Sequence, residues 1–153
     1  MKATKISKKP KVLLVETIDY MYDLLRFAMN SQDQQLFELH RVDELEKALE
    51  MIKKGEKFDA VIFDLDGWLW LRSFFYFETA EEIRRLNDKI AIIASVCCDA
   101  CFDPQRCKEM NMYRLPDGGF TTSLAGIKDA LRECGVLGGL KHGDGFMARS
   151  LDG

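Results

Sequence analysis

The sequence predicts a doubly wound α/β fold, in which five parallel strands alternate along the chain with five helices. Three short runs of apolar and β-branched residues support this prediction, and each run ends in a polar residue. The runs are 11–16, 58–64 and 90–95, and they end in Glu16, Asp64 and Ser95. Strands that are apolar on both faces belong to parallel sheets covered by helices on both sides. Because the carboxyl ends of such strands meet at one edge, we expect these three side chains to lie together.

The first half of the chain alternates between strand and helix patterns. After the first strand, Asp19 is placed to cap a helix that runs to about Asn30. Four residues of this helix have the spacing of a buried face: Met21, Leu24, Leu25 and Ala28. A short strand is predicted at 35–40. Asp43 and Glu46 then form a capping box for a second helix, which ends at Gly55 and whose inward stripe is Leu45, Ala48, Leu49 and Ile52.

The second half continues the same alternation. Thr79 and Glu82 form a capping box for a third helix, which packs through Ile83 and Leu86. A short helix is predicted at about 104–110 and a brief strand at 112–115. The last helix is predicted at 121–134, with an inward face of Leu124, Ile127, Ala130 and Leu131.

Composition indicates one globular domain with two flexible ends. The 153 residues are 47% hydrophobic and 31% charged, which is ordinary for a folded domain of this length. Residues 1–10 form a basic arm, residues 11–134 the domain, and residues 135–153 a flexible glycine-rich tail. The net charge is −3 although the arm is basic, so the domain is acidic and we expect no nucleic-acid partner. No apolar run is long enough to cross a membrane, and we expect a cytoplasmic protein.

The order of elements and the polar strand ends resemble the receiver domain of bacterial response regulators over roughly residues 11–134. The resemblance implies a CheY-like three-layer sandwich with strand order 2-1-3-4-5 and a role in two-component signal transduction. In that family, an acidic pair after the first strand and an Asp at the end of the third hold magnesium. This Asp accepts phosphate from a histidine kinase. A Ser or Thr after the fourth strand follows the phosphate, and a Lys after the fifth strand pairs with it.

Carried onto this sequence, the resemblance places the phospho-acceptor at Asp64, the switch hydroxyl at Ser95 and the first acid at Glu16. Two positions depart from the pattern: the second acid is Thr17, and the lysine position is Leu115. Losing a carboxylate weakens a site for a hard cation, and losing the ammonium removes a charge-assisted contact to phosphate. We therefore interpret the chain as an atypical, or pseudo-, receiver with a degenerate phosphorylation site. It needs no cofactor, and Glu16 and Asp64 would bind Mg²⁺ only weakly.

Two alternatives stay open. The first is a working receiver, in which Asp64 is phosphorylated in a phosphorelay despite these changes. The second is a small phosphohydrolase, because the sequence at 64–67 resembles the first motif of haloacid-dehalogenase-type enzymes, with Asp64 as nucleophile and Asp66 as general acid/base. Trp68 stands where that family has threonine, so this resemblance is local.

Two segments next to the predicted site are unusual in composition. The first is rich in aromatic residues, and it predicts a surface for a histidine kinase, a downstream regulator or a second copy of the chain; its candidates are Trp68, Trp70, Phe74, Phe75, Tyr76 and Phe77. Alternatively, these rings cover an unused phosphate site. The second segment follows Ser95 and supplies candidate metal or redox thiols at Cys98, Cys101 and Cys107. A lone Cys-x-x-Cys is only half of a zinc signature, and small apolar thiols in a loop are the simpler interpretation.

Overall fold

The computed structural model describes residues 9–64, 76–95, 104–115 and 123–138. Its strands are β1 (Lys11–Glu16), β2 (Glu38–Val42), β3 (Ala60–Asp64), β4 (Ala91–Ser95) and β5 (Met112–Arg114). Its helices are α1 (Asp19–Ala28), α2 (Ser31–Leu36), α3 (Leu45–Lys53), α4 (Tyr76–Leu86), α5 (Pro104–Glu109) and α6 (Leu124–Glu133). Most of the predicted basic arm and tail lie outside the described residues. None of the helices within those ranges combines the length and hydropathy needed to cross a bilayer.

The five strands form one parallel sheet in the order β2-β1-β3-β4-β5, which confirms the predicted doubly wound fold. Side chains alternate between the two faces of a strand, so the apolar runs supply two separate cores. Leu13, Val61 and Ile92 lie on the face covered by α3 and α4. Their neighbours Leu14, Ile62 and Ile93 lie on the face covered by α1 and α6.

Helix α1 turns a different face to the core from the one predicted. Leu25 is buried, and Tyr22 and Met29 pack against the same cluster. Leu24, predicted to point inward, is 45% exposed, and Ala28 is exposed as well. The helix has apolar residues on several sides, so spacing alone does not identify the buried one.

Three predicted caps are wrong. The residues that precede α1 and α3 are Ile18 and Glu44, and neither side chain caps its helix. Asp43 instead pairs with Lys47 at 2.7 Å. Helix α4 already includes Tyr76, so Thr79 lies inside the helix and is not its N-cap.

Helix α2 is not predicted from the sequence, and it brings the number of helices in the described ranges to six. A reciprocal capping box begins it: the Asp33 N–H donates to Asn30 Oδ1 at 2.9 Å, and the Asn30 N–H donates to Asp33 Oδ2 at 3.0 Å. Lys128 Nζ on α6 donates to Asp33 Oδ1 at 2.7 Å. The bond from Lys128, followed by that from Asn30, holds the pKa of the Asp33 carboxyl below its ordinary value. This pair therefore fastens α2 to α6.

Helix α6 continues into a docked segment beyond the predicted domain boundary at residue 134. Gly135 has φ +81°, and the two bonds of a Schellman motif follow: Gly135 N–H to Arg132 O at 3.1 Å and Val136 N–H to Leu131 O at 2.9 Å. Leu137 is then 7% exposed and belongs to the α1/α6 core. Residues 135–137 therefore pack against the domain, directly after the predicted boundary at 134.

The Asp33–Lys128 pair makes stability depend on pH in a defined direction. The Asp33→Asn variant should melt at a lower temperature than the wild type at neutral pH, because it loses the charge that faces Lys128. A lowered carboxyl pKa stabilises the fold above the ordinary pKa, and the contribution disappears as the pH falls through the lowered value. The difference in melting temperature should therefore shrink in acid. Asp129→Asn, which removes an exposed pair with Arg132, is the matched control. Equal effects of both variants would contradict this assignment.

Gly135→Ala should reduce the free energy of unfolding by roughly 1 kcal/mol, because an alanine Cβ is strained at a left-handed residue. Gly138→Ala is the control, since a Cβ there meets no atom within 4 Å and the backbone does not have a positive φ. It should be neutral or slightly stabilising in urea unfolding. Equal losses from both substitutions would argue against the helix-terminating role of Gly135.

Candidate functional site

The structure brings Glu16, Asp64 and Ser95 together at the carboxyl edge of the sheet. Glu16 is the register partner of Asp64, and Asp64 is the register partner of Ser95. Neighbouring strands are roughly 4.8 Å apart, so the three residues form a short row across β1, β3 and β4. All three are at most 4% exposed. A buried row of two carboxylates and a hydroxyl is the chemical core of this candidate site.

The two positions that depart from the receiver pattern lie beside this row. Thr17 follows β1 directly and is half-buried. Leu115 follows β5, donates its N–H to Ala94 O at 2.9 Å, and is only 3% exposed. Its side chain belongs to the core formed with α6, through residues such as Ile127 and Leu131. An apolar contact with α6 thus occupies the position at which receivers have an ammonium.

Arg114 does not replace the missing lysine. Its register partner is Ala94, whose side chain belongs to the core on the α3/α4 face. Asp64 lies two residues after Ile62 on the same strand, so it shares the α1/α6 face with Ile62. Because directly paired residues share a face, Arg114 and Asp64 lie on opposite faces of the sheet.

The residues of the row do not fit a complete magnesium site of the receiver type. Such a site takes three carboxylates, and the row offers two, with the neutral Thr17 next to them. In the described ranges, no three His, Cys, Asp or Glu side chains are grouped closely enough to hold a metal ion. Magnesium prefers a full octahedron of oxygen ligands, so two carboxylates would hold it weakly.

A functional candidate that is not predicted from the sequence is Arg41, near the carboxyl end of β2. Its Nε donates to Glu16 O at 2.9 Å, and its Nη1 pairs with Asp19 Oδ1 at 2.7 Å. The guanidinium also lies 5.3 Å from the centre of the Tyr22 ring. The side chain is 17% exposed, so this cation is held firmly beside the row. The only signal in the sequence is a basic residue near the end of an edge strand.

Arg41 also determines the position of Asp19, the nearest acid that could substitute for Thr17. The carboxylate of Asp19 points to the guanidinium of Arg41, and its side chain is 85% exposed. This carboxylate is engaged by a cation, and within the described residues it does not join Glu16 and Asp64 in a group of three possible metal ligands. The β1–α1 connection therefore does not supply a third acid to the site.

Most of the other predicted site residues lie outside the described ranges. These are Trp68, Trp70, Phe74 and Phe75 of the aromatic segment, Asp66 of the hydrolase motif, and the thiols of Cys98 and Cys101. For Tyr76, the first residue of α4, only the backbone is described.

Two of the predicted site residues, Phe77 and Cys107, are buried in the core. Phe77 is 6% exposed and belongs to the core on the α3/α4 face, so it offers no surface to a partner. Cys107 is 2% exposed in the same cluster, where it packs as a small apolar side chain.

Phe77 helps to join α4 to α5. The guanidinium of Arg106, on α5, lies 4.7 Å from the centre of the Phe77 ring. The same guanidinium donates to Glu81 Oε1 through Nη2 at 2.6 Å and through Nε at 3.1 Å. Cation–π contact and charge-assisted hydrogen bonds therefore act on one side chain and hold the two helices together.

A five-stranded parallel sheet in the order 2-1-3-4-5, covered by helices on both faces, defines the flavodoxin- or CheY-like class of α/β fold. No protein-family model matches the sequence, and no curated protein is similar enough to be matched. Among solved structures, the chemotaxis response regulator CheY4 of Vibrio cholerae is similar, with a TM-score of 0.59 and 14% identity over 83% of this chain and 99% of that one. The receiver domain of the histidine kinase CKI1 from Arabidopsis thaliana, complexed with Mg²⁺ and BeF₃⁻, has a TM-score of 0.57 and 17% identity over 82% and 89%.

An adenylate cyclase from Rhodopirellula baltica is also similar, with a TM-score of 0.59 and 15% identity over 83% of this chain and 87% of that one. At these identities, the comparisons establish the fold and do not transfer an activity. The chain has the CheY-like receiver fold.

Replacing Arg41 tests its role in holding the edge of the site. Arg41→Met should lower the free energy of unfolding by about 2 kcal/mol, since it removes hydrogen bonds from a partly buried cation to Glu16 and Asp19. Arg41→Lys should recover only part of this loss, because an ammonium cannot reproduce the planar fork. Arg132→Met, which removes an exposed pair with Asp129, should cost less than about 1 kcal/mol in urea unfolding. An Arg41→Met variant as stable as the wild type would contradict this role.

Proposed function

We propose that this chain is an atypical receiver-like module of two-component signal transduction, which acts in the cytoplasm through protein–protein contacts rather than catalysis. In this proposal its aspartyl-phosphorylation site is degenerate. The CheY-like fold supports a signalling role, because similar folds include a chemotaxis response regulator and the receiver domain of a histidine kinase. A histidine kinase or a downstream regulator is the proposed partner.

The observation that carries the proposal is the burial of Leu115 in the core. A phosphoryl group on Asp64 would add negative charge beside the buried carboxylate of Glu16. Receivers offset this charge with a lysine and a magnesium ion. Here the lysine position contributes a methyl-bearing side chain to the α6 contact, and the second acid is Thr17. Without either cation, the phosphorylated state has little electrostatic stabilisation.

A working receiver is the second candidate, and the intact row favours it. Glu16, Asp64 and Ser95 retain the three side-chain types and the register that the receiver resemblance requires. Two carboxylates could bind Mg²⁺ weakly, and the hydroxyl of Ser95 could contact a phosphoryl group on Asp64. The two candidates therefore differ in one measurable property, which is the response of the site to magnesium and a phosphate analogue.

The test is a Mg²⁺ titration with and without beryllofluoride, followed by tryptophan fluorescence, because Trp68 lies four residues after Asp64 in the sequence. The degenerate site predicts no saturable response of the wild type at millimolar Mg²⁺. Thr17→Asp should then produce a saturable response, since it restores the second acid of the pair. The double variant Thr17→Asp, Asp64→Asn should abolish that response again. Asp129→Asn, on the exposed face of α6, is the control for a general effect of charge.

A saturable wild-type response that needs both ligands and disappears in Asp64→Asn would overturn the degenerate site and favour the working receiver. No response in Thr17→Asp would show that the missing acid is not what disables the site. Turnover of a generic phosphate monoester that is lost in both Asp64→Asn and Asp66→Asn would instead favour the haloacid-dehalogenase-type hydrolase.

A further inference from the structure

Helix α1 carries three large apolar side chains on the side that faces solvent. Phe27 is 91% exposed, Tyr20 is 67% exposed and Leu24 is 45% exposed. Their spacing of four and three residues places them in one line along the helix, and we call this line the α1 stripe. The buried side of the same helix is anchored by Leu25, so the stripe cannot turn inward.

The α1 stripe is large enough to matter for association. Single exposed apolar residues are common on protein surfaces, but a contiguous line of three on one helix is a typical contact face. Two aromatic rings and a leucine at these exposures present roughly 400 Å² of apolar surface. That is about half of the 800 Å² per partner of a standard interface, so the stripe suits a weak association that depends on concentration.

The charges next to the stripe indicate which partner fits it. Asp23 lies near the middle of the helix and Arg26 lies one turn closer to its C-terminus, on the same flank of the stripe. Neither side chain takes part in an ion pair within the described part of the chain, and the Arg26 guanidinium lies 5.9 Å from the centre of the Tyr22 ring. An antiparallel copy of α1 would bring Asp23 of one protomer near Arg26 of the other, twice across the interface.

The apolar residues have the same self-complementary order. In an antiparallel pair centred near Leu24, that residue meets its own copy, while Tyr20 of each protomer lies beside Phe27 of the other. A two-fold interface requires a surface patch that complements itself, and the α1 stripe with its flanking charges meets this requirement. A partner of uniform charge would be repelled by either Asp23 or Arg26.

We propose that the α1 stripe is the interface of a homodimer, in which the α1 helices of two copies pack antiparallel about a two-fold axis near Leu24. The interface is separate from the row of Glu16, Asp64 and Ser95.

Sedimentation equilibrium of the full chain over a wide concentration range tests this dimer. The wild type should associate reversibly, and Phe27→Ala should weaken the association roughly tenfold, because it removes the most exposed aromatic contact. Leu86→Ala is the matched control, since Leu86 is 47% exposed on α4 and lies outside the stripe. It should leave the dissociation constant unchanged. Circular dichroism confirms that each variant keeps its helices.

Charge reversal distinguishes this interface from any other that α1 could form. Asp23→Arg alone and Arg26→Asp alone should each weaken self-association, because like charges then face each other. An equimolar mixture of the two single variants should recover association as a heterodimer. A wild type that is monomeric at every concentration would overturn the proposal. Association that survives Phe27→Ala and both charge reversals would also overturn it.

Discussion

The central constraint on this molecule is that β1, β3 and β4 are apolar on both faces and are covered by helices on both sides. Nearly every side chain of these strands is buried, so polar groups have no place along them. In these three strands, the carboxylates and the hydroxyl lie at the carboxyl ends. The row of Glu16, Asp64 and Ser95 is therefore a product of sheet geometry as much as of chemistry.

The same geometry lets the side chains at the edge of the sheet vary while the fold is kept. The row depends on strand register, which is set by the apolar core on either side. Thr17 and Leu115 lie just beyond the strands, where one side chain can be exchanged without disturbing the register. Leu115 adds an apolar contact to α6, and Arg41 fixes a cation at the edge of β1. Leu115 and Arg41 therefore both contribute contacts that hold the scaffold together at this edge.

The sheet and its order follow from features that the sequence displays openly. Apolar runs of strand length predict the strands, and Gly55, which has a left-handed backbone, predicts the end of α3. Both signals depend only on local side-chain type. The buried face of α1 could not be predicted, because its apolar residues cover several sides and the sheet decides which side is covered. The capping box of α2 uses Asn30 and Asp33. Asp19 and Asp43 have similar side chains but form ion pairs with Arg41 and Lys47 instead of capping a helix. Arg41 and Lys128 act through contacts distant in sequence, which a local pattern does not contain.

Arg106 joins the two helices that follow Asp64 and Ser95 along the chain. Helix α4 is the next described element after Asp64, and α5 is the next described element after Ser95. Arg106 on α5 contacts Phe77 and Glu81 on α4, so one side chain joins the two helices. Arg106 therefore couples the two helices that follow the row along the chain, and its replacement would loosen both from the same contact.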